Sequence, residues 1–392
     1  MQEDTHVTNP RPIYFDNAAT TYPKPEVTLH AAEECMRYYC GNAGRGGHAL
    51  AMRSAEILYE TREKLAFTFG GNAENVVFTL NTTYALNMAI KGIVGTRGGH
   101  LLISNMEHNS VLRPIAELAR QKKITYDIFK AYDPERRLSD KEITSNIINK
   151  LRPDTRAVVC VHASNICSYS LPIREIGALC HRLGLLFVVD AAQSAGHLPI
   201  NLKNDNIDVL CMPAHKGLYA PQGLGIMMLG DSVSIDTLIE GGNGVNSRDL
   251  YMGIASPERY EGGTLNTPAI AGLGASLDFI GSIGTAHIHD YERTLWMRAY
   301  NGLSTIDHVK IYDCKNAGSV LLFNLRNVHP DELGRELSAR GFCLRTGLHC
   351  APLAHKSLGT GDEGAVRIGF GLFNTADEVD ALCNAIKDIA SR

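Results

Sequence analysis

The sequence predicts an α/β protein with a large, mostly parallel sheet and a smaller C-terminal α+β domain. Between residues 75 and 229, short apolar runs alternate with helical patterns, an order typical of a parallel sheet with helices on both faces. After residue 285 the pattern becomes mixed. A chain of 392 residues is long for one core and suits two domains. We therefore expect an N-terminal arm at 1–25, a large domain at 26–285 and a small domain at 286–392.

The individual elements follow from the apolar runs and the residues between them. Strands of the large domain are predicted at 75–80, 101–104, 125–130, 157–161, 185–190, 209–212 and 226–229. Its helices are predicted at 26–39, 51–69, 81–94, 111–121, 141–151, 173–183 and 268–283. The small domain is predicted to hold strands near 308–313, 319–324 and 365–369, with helices at 330–340 and 376–390. The glycine-rich stretch 41–48 is predicted to be a shaped loop.

The composition disfavours several classes of protein. The net charge is −4 and the sequence has no long basic run, so nucleic acid is not an expected partner. No apolar run has membrane-spanning length, and the polar N-terminus does not resemble a signal peptide, so we expect a cytoplasmic protein. The ten cysteines include no C-x-x-C pair, which argues against a metal site of that spacing.

The stretch 207–225 carries the residues on which the functional prediction depends. An apolar strand ends at Pro213, and the following turn contains His215 and Lys216, while an upstream strand ends at Asp190. A lysine between buried strands is costly unless its charge is used or neutralised. Pyridoxal phosphate (PLP) needs a lysine for its Schiff base and an acid partner for its ring nitrogen. Together these residues predict a PLP site, although each alone also fits a solvated loop lysine or a helix N-cap.

Other polar residues also follow predicted strands, where ligands of such sheets bind. Thr82 and Thr83 open a helix whose free N–H groups and hydroxyls suit a phosphate, although alone they also fit a plain helix cap. His108 could stack on a pyridine ring and act as an acid or base, or it could be a structural histidine. No G-x-G-x-x-G motif follows the first strands, which argues against NAD.

A second candidate region surrounds Cys350. This cysteine lies in a partly polar, glycine-containing loop beside His349 and near Arg345, a setting that can yield a reactive thiolate. An ordinary loop cysteine remains an alternative. Arg345 or Arg367 could bind a substrate carboxylate through a bidentate contact.

These stretches resemble the cysteine desulfurases, in the class V aminotransferase branch of the fold-type I PLP enzymes. The resemblance runs from residue 14 to the last helix. The matching stretches are D-N-A-A-T-T (16–21), R-G-G-H (45–48), N-T-T (81–83), M-E-H-N (106–109), V-D-A-A-Q-S-A-G-H (189–197), A-H-K (214–216), E-G-G-T-L-N-T (261–267) and R-T-G-L-H-C-A-P (345–352). The R-x-G-x-H-C loop is similar to the group II type, which includes selenocysteine-lyase-like enzymes.

The resemblance implies a role for each candidate residue. Lys216 would attach PLP, Asp190 would pair with its ring nitrogen, Gln193 would bond its ring hydroxyl and His108 would stack on the ring. The phosphate would be held by Thr82, Thr83, His215 and, across a homodimer interface, Thr264. The substrate pocket would be lined by Ala19, Asn165, Arg345, Arg367 and, from across the interface, His48.

The implied activity is the conversion of L-cysteine to L-alanine, with the sulfur taken by Cys350 as a persulfide. An acceptor protein is a candidate partner for the next transfer of that sulfur. One alternative is selenocysteine lyase or another C–S lyase, and another is a non-catalytic PLP-binding or sulfur-carrier protein. Two positions depart from the family pattern. Pro213 replaces a hydroxyl residue and Gly217 is inserted after the lysine, so we expect weaker or rerouted phosphate contacts.

Overall fold

The computed structural model describes residues 12–44, 46–245, 247–312 and 318–392. Its strands, in chain order, are β1 (Ile13–Tyr14), β2 (Val76–Thr79), β3 (Gly99–Ser104), β4 (Ile124–Phe129), β5 (Thr155–Val161), β6 (Leu186–Asp190), β7 (Val209–Pro213), β8 (Gly225–Leu229), β9 (Val309–Ile311), β10 (Val320–Leu325), β11 (Phe342–Cys343), β12 (Arg345–Gly347) and β13 (Ala365–Gly369). Its α-helices are α1 (Glu26–Glu34), α2 (Ala49–Phe69), α3 (Thr82–Val94), α4 (Asn109–Arg120), α5 (Asp140–Ile148), α6 (Ile173–Leu183), α7 (Thr267–Ile283), α8 (Thr285–Ser304), α9 (Pro330–Ala339), α10 (Pro352–Leu358) and α11 (Ala376–Ala390).

The larger sheet has the strand order β2-β8-β7-β6-β5-β3-β4. The strands from β7 to β4 run parallel to their neighbours, whereas β8 is antiparallel to both β2 and β7. The prediction of a large, mostly parallel sheet is therefore confirmed. Because parallel strands end at the same edge of a sheet, the residues that follow β3, β5, β6 and β7 meet there.

Both faces of the larger sheet are buried. Val158 and Cys160 of β5 belong to one hydrophobic cluster, which also contains residues of α2, α6 and α7. Ala157 and Val159 belong to the opposite cluster, which contains residues of α3 and α4. Successive strand residues point to opposite faces, and a sheet covered on both faces therefore has the continuous apolar strands that this sequence contains.

Local signals in the sequence fix several helix ends. Helix α6 ends at Gly184, whose φ of 65° is left-handed and suits glycine, and its bounds match the prediction. Helix α11 begins with a capping box, in which Thr375 and Glu378 each bond the other's backbone N–H group. Helix α5 begins with the same arrangement of Ser139 and Glu142.

The C-terminal part has its own antiparallel sheet, in the order β12-β13-β10-β9. Residues of α8, α9 and α11 share a hydrophobic core with this sheet, and Phe15 from the N-terminal segment lies in the same core. Strand β1 pairs in parallel with β11, and Asp16 forms an isolated bridge with Gly369. The division at 285/286 stays a prediction.

Some elements differ from the predictions. Helix α8 was not assigned, because Glu292 interrupts its otherwise apolar buried positions. Helix α10 has seven residues, too few for a periodic pattern to be recognised. The predicted helix 26–39 is α-helical to Glu34 and continues as a π-helix at Cys35–Tyr39. Among the described residues no single helix is long and apolar enough to cross a membrane, although α7 and α8, bent by 77°, pass that test as a pair.

Candidate active site

A cavity of about 110 Å³ opens at the C-terminal edge of the larger sheet. It brings together the predicted residues Thr82, Thr83, His108, Asn165, Asp190, Gln193, His215 and Lys216. They come from chain positions far apart, and each lies at or after the end of a strand of this sheet. The sheet topology therefore creates the candidate site that the sequence suggested.

Lys216 and Asp190 are the charged pair of this cavity. Asp190 ends β6, is 1% exposed and accepts a hydrogen bond of 2.9 Å from the Ala192 N–H group. Burial raises the pKa of Asp190, whereas that hydrogen bond and the charge of Lys216 lower it. Burial lowers the pKa of Lys216 to about 8, against the attraction of Asp190. The lysine can thus lose its proton near neutral pH.

The turn that carries Lys216 is held by the N-terminal segment. The His215 carbonyl accepts hydrogen bonds from the Thr21 N–H group at 3.2 Å and from Lys24 Nζ at 2.7 Å. Gly217 permits close packing, because a Cβ there would lie 2.3 Å from the Ala195 carbonyl oxygen. The inserted glycine is therefore needed for this turn. The roles of Thr21 and Lys24 were missed, although Thr21 ends the quoted D-N-A-A-T-T motif and Lys24 follows it.

Two buried polar atoms that line the cavity have no hydrogen-bond partner among the described residues. The Thr82 hydroxyl and His215 Nδ1 make no hydrogen bond within the described residues. Thr82 is the first residue of α3, whose first N–H groups have no intrahelical partner. Burial, and the nearby charges of Lys216 and Lys24, lower the pKa of His215 to about 4, so its ring is neutral at pH 7. These groups fit a phosphate, while Pro213 lines the cavity without a hydroxyl.

His108 forms the N-cap of α4 through its ring. Its Nδ1 accepts a hydrogen bond of 3.1 Å from the Ser110 N–H group, so the neutral ring carries its proton on Nε2. The Ser110 hydroxyl also lies 2.7 Å from the Thr83 hydroxyl and 2.9 Å from His108 Nδ1. Burial, and then the charge of Lys216, lower the pKa of His108 to about 4. Ser110 thus links two predicted residues that the sequence did not connect.

Glu107 is a further buried carboxyl that the sequence analysis did not assign. Its Oε1 accepts hydrogen bonds from the Val161 N–H group at 3.0 Å and from the Ser104 hydroxyl, whereas its Oε2 has no partner among the described residues. Burial raises the pKa of Glu107 to about 8, and the charge of Asp190 acts in the same direction. Its position in the quoted M-E-H-N motif was the available signal.

Cys350 lies on an exposed loop that is bonded to the cavity. Its φ is 56° and that of His349 is 47°, both left-handed. The Asn165 side chain donates a hydrogen bond of 2.8 Å to the His349 carbonyl. The Asn109 N–H group donates one of 2.7 Å to the Cys350 carbonyl. Two residues at strand ends of the larger sheet thus hold the backbone of the cysteine loop.

The two predicted arginines are neighbours in the smaller sheet. Arg345 of β12 pairs with Arg367 of β13. Arg367 is 2% exposed and donates hydrogen bonds to Asp16 at 2.6 Å and to the Asn165 carbonyl at 3.0 Å. Its Nε has no partner within the described part of the chain, and Arg345 is exposed. Ala19 lies in the turn that begins at Asp16.

The structure does not bring His48 and Thr264 into this cavity. His48 caps α2 by accepting a hydrogen bond from the Ala51 N–H group at 3.3 Å. The Thr264 hydroxyl lies 3.3 Å from Asn42 Nδ2 and lines a separate cavity of about 620 Å³. Both residues therefore lie on or beside the loop that follows α1. Arg45 of the predicted R-G-G-H motif lies outside the described residues.

The other predicted contacts are partly occupied within the chain. Gln193 Nε2 donates a hydrogen bond of 2.7 Å to the Ala18 carbonyl, so its Oε1 is the atom left for a ligand. Together with the sheet, the cavity defines the class of the protein: a fold-type I α/β enzyme, with a lysine and a carboxyl group at neighbouring strand ends.

Comparisons with known proteins identify the family. Residues 13–382 match the family described as Aminotransferase class-V. A probable cysteine desulfurase of Methanothermobacter thermautotrophicus is 32% identical over 390 residues, which cover 96% of this chain and 94% of that protein. A cysteine desulfurase of Escherichia coli is 29% identical over 392 residues, which cover 97% of this chain and 94% of that protein. The apo structure of a cysteine desulfurase from Thermococcus onnurineus superposes with a TM-score of 0.90 at 30% identity, covering 97% and 95% of the two chains. The chain belongs to the aminotransferase class-V family, as a member of its cysteine desulfurases.

Proposed function

We propose that this protein is a PLP-dependent cysteine desulfurase that converts L-cysteine to L-alanine and takes the sulfur onto Cys350 as a persulfide. One observation carries the proposal. The cavity of Lys216 and Asp190 is joined, through the Asn165 side chain, to the loop that presents the exposed Cys350. A desulfurase needs both parts, because one must release the substrate sulfur and the other must accept it.

The cavity supplies contacts for each part of the cofactor. The Thr82 hydroxyl and His215 Nδ1, which have no partner in the described part of the chain, would hold the phosphate at the start of α3. Asp190 would face the ring nitrogen, His108 would stack on the ring and Lys216 would attach to the aldehyde carbon. PLP withdraws electrons from the substrate Cα when it is bound. These two groups would hold the phosphate without a hydroxyl at Pro213.

The lysine has a second task once the substrate amine has displaced it. With a pKa lowered to about 8, Lys216 Nζ is deprotonated often enough at neutral pH to take the Cα proton of the substrate. The carboxyl of Asp190 opposes that pKa shift of Lys216, and it lies at the neighbouring strand end, where it would face the ring nitrogen. Proton removal and electron withdrawal thus come from neighbouring strand ends.

Cys350 completes the sulfur transfer. Its thiolate attacks the substrate sulfur, the Cβ–S bond breaks, and its electron pair remains on the carbon side, where protons complete alanine. The sum is L-cysteine plus the Cys350 thiol giving L-alanine plus the Cys350 persulfide. Because Cys350 is exposed, an acceptor protein could then take the terminal sulfur.

The two arginines suit the substrate carboxylate. Arg367 uses two of its nitrogens for Asp16 and the Asn165 carbonyl, which fixes the guanidinium plane, and its Nε has no partner among the residues that the structure describes. Arg345, its exposed neighbour in the sheet, would contribute the second contact. A carboxylate bound there would hold the substrate between the cavity and Cys350.

A homodimer with shared sites fits the position of the remaining predicted residues. The loop after α1 adjoins the 240–265 segment, since Asn42 contacts Thr264. That segment exposes the large apolar side chains of Leu250, Tyr251 and Ile254, which are 94%, 87% and 93% exposed. Exposed apolar residues of this kind mark interaction surfaces, and the twofold dimer is the commonest closed assembly.

The decisive experiment compares substrates in Cys350→Ser. This variant should lose alanine formation from cysteine and should form no persulfide, while it keeps cleavage of cysteine sulfinate, whose sulfur leaves without a thiol acceptor. Mass spectrometry of the wild-type peptide that contains Cys350 should find one added sulfur. If Cys350→Ser desulfurates cysteine at the wild-type rate, the desulfurase assignment gives way to a C–S lyase or selenocysteine lyase.

A further inference from the structure

The Cys350 loop rests on a chain of buried polar side chains that the proposed chemistry does not use. The rings of His349 and His355 stack with centroids 5.3 Å apart and planes 14° apart. His349 Nδ1 lies 3.1 Å from His355 Nε2, and His355 Nδ1 lies 2.8 Å from the Thr360 hydroxyl. The exposed fractions of the three residues are 4%, 1% and 8%. This series of hydrogen-bonded side chains is therefore shielded from water along its length.

The contacts determine which atom carries each proton in this series of side chains. His349 Nε2 lies 3.2 Å from the Arg345 carbonyl, which can only accept, so Nε2 carries the proton and His349 Nδ1 accepts. His355 Nε2 must then donate to His349 Nδ1, and His355 Nδ1 must accept from the Thr360 hydroxyl. All donors point the same way, from Thr360 to the Arg345 carbonyl. An extra proton on either ring would place two donors against each other.

The surroundings keep both rings neutral. Burial, and then the charge of Arg367, lower the pKa of His349 to about 2 and that of His355 to about 4. Arg345 adds to this effect at His349. The series of hydrogen bonds, with every donor pointing from Thr360 towards the Arg345 carbonyl, is thus compatible with the charges that face it.

The series of hydrogen-bonded side chains ends at His349, in the strained part of the loop. His349 and Cys350 have left-handed backbones, with φ of 47° and 56°, and such conformations are unfavourable for residues other than glycine. The Asn165 side chain and the Asn109 N–H group hold the two carbonyls from the side of the larger sheet. The His349 ring is held separately, by His355 Nε2. The loop is therefore held both by its backbone carbonyls and by this ring, and His355 is the only described side chain joined to the His349 ring by a side-chain hydrogen bond.

We propose that His355, supported by Thr360, is a positioning residue that fixes the left-handed backbone of Cys350 and so aims its thiolate at the substrate sulfur. The inference rests on the proposed function, because it takes Cys350 as the sulfur acceptor. Misplacing a reacting atom by about 1 Å can cost on the order of a hundredfold in rate. His355 lies on α10, which is bonded to the larger sheet through Ser357 and Asn105, so its ring is presented to His349 from an anchored helix.

The test uses the holoenzyme with two substrates and four variants. His355→Leu fills the space but breaks both hydrogen bonds of the ring. His355→Gln keeps an N–H donor in reach of His349 Nδ1 and is the rescue variant. Thr360→Val removes the terminal donor at nearly constant shape. Lys356→Ala changes an exposed neighbour on the same helix and serves as the matched control.

The expected results separate positioning from folding. His355→Leu should lose about tenfold or more in cysteine desulfuration, because the nucleophile is displaced, and should keep cysteine sulfinate cleavage at the wild-type rate. Hydrogen exchange of the Asn109 amide should become faster, since its acceptor is the Cys350 carbonyl. His355→Gln should restore most of both properties, Thr360→Val should show a smaller change in the same direction, and Lys356→Ala should match the wild type.

Other results overturn the inference. It fails if His355→Leu desulfurates cysteine as the wild type does, or if both substrates lose equally with unchanged exchange at Asn109. If His355→Leu does not fold, Thr360→Val decides, and a wild-type ratio of the two substrates rejects the proposal. Cys350→Ser distinguishes a failure of the proposed function from a failure of the positioning role of His355. If it still desulfurates cysteine, the proposed function itself fails; if it is inactive while His355→Leu is not, this inference alone fails.

Discussion

The cavity around Lys216 and the loop around Cys350 position their reactive groups in opposite ways. Lys216 follows a buried strand, and its place is set by the register of β6, β7 and β8. Cys350 is exposed, has a left-handed backbone and is held by hydrogen bonds from the edge of the larger sheet. One group is therefore fixed by the strand pairing of the fold, whereas the other is fixed by a small number of hydrogen bonds.

This contrast fits the two tasks. A lysine that attaches a cofactor and moves a proton must stay at one distance from the substrate Cα throughout the reaction. A cysteine that takes sulfur has to meet the substrate on one side and an acceptor on the other. A small number of hydrogen bonds suits a group with two partners, and the following experiments test that division.

The largest effect is expected from Lys216→Ala. Removing the amine should abolish alanine formation from cysteine and from cysteine sulfinate, because both need the lysine before any sulfur leaves. In the wild type, borohydride reduction should fix the cofactor to the peptide that contains Lys216, as mass spectrometry can determine. Labelling of Lys24, the other partly buried lysine near the turn, would instead contradict the assignment.

A smaller loss that is equal for both substrates is expected from Asp190→Asn. The amide oxygen can still accept the hydrogen bond from Ala192, so the fold should be kept while the negative charge is lost. Loss of such a preorganised charge costs on the order of a hundredfold in kcat. Steady-state assays with cysteine and cysteine sulfinate measure it, and a near-normal rate would mean that another acid faces the ring.

Asn165→Ala is expected to lower the turnover of cysteine more than that of cysteine sulfinate. It removes the side-chain hydrogen bond between the cavity around Lys216 and the loop around Cys350. The His349 carbonyl would lose a buried donor, at a cost of about 1–3 kcal/mol, and cysteine turnover should fall roughly tenfold more than cysteine sulfinate cleavage. Ser145→Ala, on the exposed face of α5, is the control. Equal losses would show that Asn165 acts on substrate binding alone.

The smallest effect is a pH dependence of stability in the cavity. The pKa of Glu107 is raised to about 8 in the folded protein from 4.5, so between these values the folded state keeps a proton that the unfolded state has lost. Stability therefore falls as pH rises, by at most about 1.4 kcal/mol per pH unit for one proton. Glu107→Gln should remove this contribution, and urea unfolding of the cofactor-free proteins between pH 5 and 8 measures it. If the free energy of unfolding changed with pH equally in the wild type and in Glu107→Gln, the assignment of a buried, protonated Glu107 would be contradicted.

The cavity was more predictable than the loop for a physical reason. Parallel strands place the residues after their ends at one edge, so strand order along the chain already groups Thr82, His108, Asp190 and Lys216. The loop depends on contacts across unrelated elements, such as Asn165 with His349. No periodic pattern reports such a contact, and the same holds for the stacked ring of His355.

The differences in secondary structure have the same origin. Buried positions of α8 have helical spacing, but Glu292 occupies one of them and bridges to His197 at 2.8 Å. A carboxylate there is acceptable because of a partner more than ninety residues earlier in the chain, which local reasoning does not consider. The assignment of His48 and Thr264 to a shared dimer site stays a prediction, since both lie outside the cavity of their own chain.

The N-terminal segment adds a constraint on folding. Phe15 is buried in the C-terminal core, Asp16 binds Arg367, and Thr21 binds the His215 carbonyl. Asp16 therefore depends on a partner 351 residues later in the sequence, and Thr21 on one 194 residues later. The segment that supports the turn of Lys216 is itself fixed to the C-terminal sheet at Gly369. The final support of this turn is thus coupled to the folding of the C-terminal part of the protein.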